Sequence, residues 1–197
     1  MEHTVCVFGD SGVYGGYAEN NWAHKLRLYL EDSSDEGRFL YALGIVGNTS
    51  VDILDRFEKE ALPRKPTSII FGVGKNDSAY FLDSGKSLVG EKLFKSNILK
   101  LTDLAKKFTT NITFVGLAIG DDSALKPYTE APIQNLAYDR ERAKKYDLLL
   151  KELAKQNGCK YVYLYDKLNF GDFIEGLHAN DQGHEKIFQE VKKVISF

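Results

Sequence analysis

The sequence predicts an α/β fold, a three-layer α/β/α sandwich on a five-stranded parallel sheet. Short apolar runs alternate with longer segments of helical periodicity along the whole chain. The runs are almost continuously apolar, as strands covered on both faces are, rather than alternately polar and apolar. Three of them end in a polar glycine turn, "GDSG", "GNTS" and "GKND". Such turns fall where an open parallel sheet binds its ligands, at the carboxyl ends of its strands.

"TVCVFG" is the first strand, and "NNWAHKLRLYLED" follows with Trp22, Leu26, Tyr29 and Leu30 on one helical face. "RFLYALGIVG" is the second strand, and "TSVDILDRFEKEAL" a helix capped by Thr49 or Ser50. "TSIIFGVG" is the third strand, before the long helix "GEKLFKSNILKLTDLAKKF". "NITFVGLAI" is the fourth. After an irregular stretch over 120–134 come the helix "LAYDRERAKKYDLLLKELAKQNG", the fifth strand "KYVYLYD" and a closing helix "DQGHEKIFQEVKKVISF". A loop as long as 120–134 in a compact domain is a functional edge or lid, and it is expected to wall the site.

The 197 residues read as one domain over 1–197, without repeat, linker or low-complexity tract. An apolar share of 43%, a charged share of 27% and a net charge of -2 describe an ordinary soluble protein. That charge gives no basic footprint, so no nucleic-acid partner is expected. "MEHTVCVFG" lacks the basic start of a signal peptide, and no apolar run nears the roughly 20 residues that cross a bilayer, so no stable membrane insertion is expected. Cys6 and Cys159 have no neighbours at metal-ligand spacing, so a cytoplasmic protein with reduced cysteines and no metal is expected. Composition is silent on oligomeric state.

A serine in a glycine turn is a turn former, a phosphate cradle or a nucleophile. Around Ser11 no Gly-Lys-Ser/Thr follows, the G-x-G-x-x-G pattern is absent, and Val13 replaces the last glycine of G-x-S-x-G. Acyl transfer through a serine needs donors converging on one oxyanion. Gly47 offers a backbone N–H without a side chain in the way, and Asn76 offers an amide at the next strand tip. Of the histidines, His3 precedes the first strand, His24 lies within a helix and His184 falls in the first turn of the last one. His178 stands in a loop just before the capping residues Asn180 and Asp181, with Glu175 placed to hold its second ring nitrogen. Asp10 is read as a turn acceptor rather than a base.

These blocks resemble the SGNH hydrolase superfamily, also called the GDSL esterase/lipase family. "GDS" at 9–11, "GIVGNTS", "GKND" at 74–77 and "EGLHANDQGH" match its four blocks in order. The resemblance implies the flavodoxin-like SGNH fold and a serine hydrolase that cleaves esters of small or short-chain substrates through an acyl-enzyme, without a cofactor. It implies Ser11 as nucleophile, His178 as base, and Ser11, Gly47 and Asn76 as the oxyanion hole. The sequence departs from the pattern where Glu175 stands for the usual aspartate and Ala179 for a proline, and Asp172 is the alternative acid. Lys75 fills the variable position of the third block and adds a cation. Tyr14, Tyr17, Tyr80 and Phe81 follow the catalytic turns as candidate pocket residues. Carbohydrate O-deacetylase, thioesterase, acyltransferase and a binding protein on an inactive scaffold are the competing readings.

Overall fold

The computed structural model describes residues 3–32, 37–130 and 133–195. Its main sheet holds five parallel strands in the order β2-β1-β3-β5-β7. These are β1 (His3–Gly9), β2 (Arg38–Gly44), β3 (Ser68–Gly72), β5 (Ile112–Val115) and β7 (Lys160–Val162). Two-residue strands β4 (Tyr80–Phe81) and β6 (Leu136–Ala137) pair antiparallel beside it. The helices are α1 (Ser11–Tyr14), α2 (Trp22–Glu31), α3 (Ser50–Ala61), α4 (Lys75–Ser78), α5 (Glu91–Lys106), α6 (Arg140–Gln156) and α7 (Asp181–Val194), with a 3-10 turn at Phe170–Asp172.

Because strand side chains alternate in direction, each strand feeds two cores. Cys6, Phe8, Ile69, Phe71 and Phe114 pack with Ile53, Phe57, Phe94, Ile98 and Leu150 of α3, α5 and α6. Val5, Val7, Ile70 and Val162 pack on the other side with Trp22, Leu26, Leu30 and Val191 of α2 and α7. A third, smaller cluster lies under the 120–138 segment and includes Ile119, Leu125, Tyr128, Leu136, Tyr138 and Leu177.

Several strands end earlier than their apolar runs. The fourth run leaves the ladder after Val115, where the Leu117 N–H donates at 2.7 Å to the buried Asp147 carboxylate instead of to a strand. The helix expected from Leu136 begins at Arg140. Asp139 caps it by accepting the Arg142 N–H, and Leu136–Ala137 are taken by β4. From β1 the chain passes to β2 on one side and then to β3 on the other, so the connections leaving the sheet diverge there. That divergence opens a crevice at the tips of β1 and β3.

Candidate active site

Ser11 follows β1 directly and begins α1. Asp10 caps that short helix by accepting the Gly12 N–H at 2.8 Å, in keeping with its reading as a turn acceptor. The cap turns the Ser11 side chain away from the strand direction and into the crevice. There His178 Nε2 lies 3.0 Å from Ser11 Oγ, although 167 positions separate the two residues. The other ring nitrogen, Nδ1, is hydrogen-bonded to Glu175 Oε1, and the His178 N–H donates to Glu175 Oε2 at 3.2 Å. Serine, imidazole and carboxylate therefore form one continuous line. Burial alone raises the Glu175 carboxyl, but the bond and charge of His178 outweigh it and hold the group below its usual range.

The turn carrying these residues is pinned from outside. Gly176 has φ +96°, and a Cβ there would fall 2.0 Å from the Asp121 carbonyl oxygen, so only glycine lets the two backbones approach. The Gly120 N–H closes the contact on Gly176 O at 2.7 Å. Lys75 Nζ donates to Leu177 O at 2.9 Å, tying the histidine's neighbour to the tip of β3. Its ammonium faces Asp10 and Glu175, which oppose the lowering that burial imposes on it. Burial likewise raises Asp10, against the pull of Lys75.

Two backbone donors stand ready beside the serine. Among the described residues, the N–H groups of Ser11 and Gly47 have no hydrogen-bond partner. Gly47 holds φ +79° with open space where a Cβ would stand, and it lines the groove beside Ser11. The Asn76 amide donates to Asn48 O at 2.9 Å and makes a weak 3.5 Å contact with Asp10. Gly47 and Asn76 are kept in register from behind by Asp77, which bonds Ser50 at the start of α3.

Two spaces meet at Ser11 and His178, which with Tyr17 line both. One is a cavity of about 70 Å³ walled mainly by apolar groups, among them Val13, Trp22, Val115, Leu164 and Phe173. The other is a groove of about 290 Å³ lined by Gly47, Asn76, Tyr128, Tyr138 and Glu130. Tyr17 stacks on the His178 ring, with centroids 3.9 Å apart and planes at 22°.

Some expected residues lie elsewhere. Asp172 does not reach His178: its carboxylate accepts the Asn169 N–H at 2.6 Å and pairs with Lys186 at 2.6 Å, an anchor for the 3-10 turn and α7. Tyr14 is 58% exposed and lines neither space. Tyr80 and Phe81 are held in the β4–β6 pair, with Arg142 stacked 4.1 Å over Tyr80. Of the expected aromatics Tyr17 does line both spaces, and the groove's other aromatic walls come from Tyr128 and Tyr138 of the long loop and its exit. Asp139 read as a helix cap would have released Tyr138 from the helix and signalled its place.

No helix among the described residues is long and apolar enough to cross a membrane. Among the same residues no cluster of three or more His, Cys, Asp or Glu side chains could hold a metal ion.

The sequence pattern of the GDSL-like Lipase/Acylhydrolase family matches residues 7–186. Of curated proteins, the uncharacterized lipoprotein YqeF of Bacillus subtilis (strain 168) is 28% identical over 106 residues, covering 52% of this chain and 43% of its own length. The chain thus matches less than half of that relative. Among solved structures, a catalytic mutant of Axe2, an acetylxylan esterase from Geobacillus stearothermophilus, superposes with a TM-score of 0.77 at 16% identity, over 100% of this chain and 96% of that one. LAE5, an alpha/beta hydrolase enzyme from the metagenome of Lake Arreo, Spain, gives 0.76 at 15% identity, over 98% and 95%. At these identities the likeness is one of fold.

Proposed function

The chain belongs to the GDSL-like lipase/acylhydrolase family, and from that premise we propose that it hydrolyses short-chain carboxylic esters through Ser11, His178 and Glu175. The observation that carries this reading is the 3.0 Å contact between Ser11 Oγ and His178 Nε2, continued by the bond from Nδ1 to Glu175.

Ser11 Oγ attacks the ester carbonyl carbon as its proton passes to His178 Nε2. Glu175 holds the imidazole in the tautomer with Nδ1 protonated and balances the cation that forms. In this reading the oxyanion takes hydrogen bonds from the Ser11 and Gly47 N–H groups and the Asn76 amide. The carbon–oxygen bond to the alcohol breaks, and His178 returns the proton to that oxygen. Water then repeats the sequence on the acyl-enzyme, releasing the acid and free Ser11.

The size of the cavity of about 70 Å³ supports a short acyl group. The wider, polar and aromatic groove fits the alcohol. That groove also favours a second reading, O-deacetylation of a sugar, because tyrosine faces and carboxylates suit a polyhydroxylated leaving group. The competing thioesterase, acyltransferase and inactive-scaffold readings have no such observation behind them.

The test is turnover of p-nitrophenyl esters from acetate to octanoate by wild type and Ser11→Ala, with fluorophosphonate labelling beside it. Labelling at Ser11 and a preference for the shortest esters are expected. Turnover that survives Ser11→Ala would refute the nucleophile.

A further inference from the structure

The 120–138 segment does more than wall the groove. Its two buried tyrosines each reach a different working part. The Tyr128 hydroxyl donates to Glu175 Oε1 at 3.3 Å, the same oxygen that receives His178 Nδ1. The Tyr138 hydroxyl donates to Asn76 Oδ1 at 2.9 Å. The two rings meet edge to face, with centroids 5.5 Å apart at 86°. Their backbones are tied to the same segment, Tyr128 N–H to Leu136 O at 2.7 Å and Tyr138 N–H to Leu125 O at 3.1 Å. At 8% and 4% exposure neither ring has freedom to swing away.

From this arrangement we infer that Tyr128 and Tyr138 are coupled positioning residues, one steering the acid of the triad and the other fixing which face of the Asn76 amide meets the oxyanion. The inference rests on the hydrolase reading above. An asparagine amide has an acceptor end and a donor end of nearly equal shape, and only its partners decide which points where. A hydroxyl that donates to Oδ1 locks the amide with Nδ2 toward Asp10 and Asn48 at the serine's edge of the groove. Without that lock the amide can turn and set a lone pair against the oxyanion. At Glu175 the effect is different. Tyr128 and His178 compete for one oxygen, so the phenol draws off part of the carboxylate's negative potential. It thereby sets how strongly the imidazolium is held. The glutamate carboxylate, one methylene farther out than an aspartate's, comes within reach of a residue on the loop.

Other groups face the imidazole as well: Asp10 at the tip of β1 and His184 of α7, with the Tyr17 ring stacked on it, while Lys75 of α4 faces Asp10 and Glu175. Neither phenolic hydroxyl is hydrogen-bonded to any of them, which makes Tyr→Phe the appropriate probe.

The experiment uses Tyr138→Phe and Tyr128→Phe alone and combined with Asn76→Ala and Glu175→Gln, assayed on p-nitrophenyl acetate across pH, with fluorophosphonate labelling of wild type as the control for a live serine. Tyr138→Phe should lower kcat roughly tenfold with KM within about twofold, and should cost nothing further once Asn76 is alanine. Tyr128→Phe should move the acid limb of kcat/KM upward by about half a pH unit, and should move nothing in the Glu175→Gln background. Equal losses in both backgrounds mark ordinary packing and overturn the inference, as do unchanged kcat and unchanged profiles. An unlabelled wild-type serine overturns the hydrolase reading itself, and the inference with it. A labelled serine with additive cycles removes the tyrosine inference alone.

Discussion

Asp77 accepts the Ser50 backbone N–H with both carboxylate oxygens at 3.0 Å and takes the Ser50 hydroxyl as well. Ser50 Oγ is held in turn by Asn97 at 3.0 Å. This fully buried knot joins α3 to the tip of β3 and so sets Gly47 against Asn76. Asp77→Ala strands a buried N–H, and a loss of about 1–3 kcal/mol is expected in urea unfolding, with a fall in kcat as the proposed oxyanion donors lose register.

The same aspartate has its carboxyl shifted toward neutrality. Burial, only partly opposed by the Ser50 bonds, raises its carboxyl from 3.8 to about 7. Between those values the folded chain binds a proton that the unfolded chain has released, so stability falls as pH rises and then levels above about 7. Asp77→Asn lacks this dependence. Across that window wild type should lose ground to it by up to about 4 kcal/mol, read from urea midpoints at each pH.

His184 acts at the opposite end of the scale. It is buried against the site, and its Nδ1 accepts the Trp22 N–H at 3.3 Å, which requires the neutral ring. Burial, and then the charge of Lys75, lowers it from 6.5 to about 4. In that interval the unfolded chain takes up a proton that the folded chain refuses, so stability is full above it and declines as pH falls through it. The decline should approach 3 kcal/mol, roughly, and be absent in His184→Asn, whose amide oxygen replaces the acceptor.

The choice of acid is settled by a pair of isosteres. Glu175→Gln should lower kcat more than tenfold, roughly, because the imidazole loses the charge that balances its cation. Asp172→Asn should leave kcat within about twofold while lowering the melting temperature, since Lys186 loses its partner. The reverse pattern would reassign the orienting role to Asp172.

Gly176→Ala tests the pinning of the histidine turn. The added methyl would meet the Asp121 carbonyl at 2.0 Å in a backbone region that L-residues avoid. Activity and stability should both fall, whereas Gly47→Ala, with open space at its Cβ, should cost stability only about 1–2 kcal/mol.

The five parallel strands and the five long helices were legible because their apolar periodicity is set by burial on two faces, a pattern that local sequence carries. Ser11, Gly47, Asn76 and His178 were legible as strand-tip and cap-flanking residues, and the structure brings Ser11, His178 and Glu175 together. Helices of four residues such as α1 and α4 leave no periodic trace, since a single turn cannot repeat. The two-residue strands β4 and β6 depend on a partner over fifty positions away, roughly, which no local window contains. Tyr14, Tyr80 and Phe81 were misplaced because nearness in sequence to a catalytic turn does not fix the direction of a ring. Tyr17, two residues from Gly15, lies over the His178 ring although 42% exposed; Tyr14, 58% exposed, reaches neither space.

The hydrogen bond from Tyr128 to Glu175 carries a consequence for how this chain can be reshaped. The segment that lines the groove proposed for the alcohol also carries the hydroxyl that reaches Glu175. Under the proposed function the two are geared together: a substitution at Tyr128 that admits a new leaving group should shift the working acidity range along with it, and regaining that range should demand a compensating change beside the glutamate.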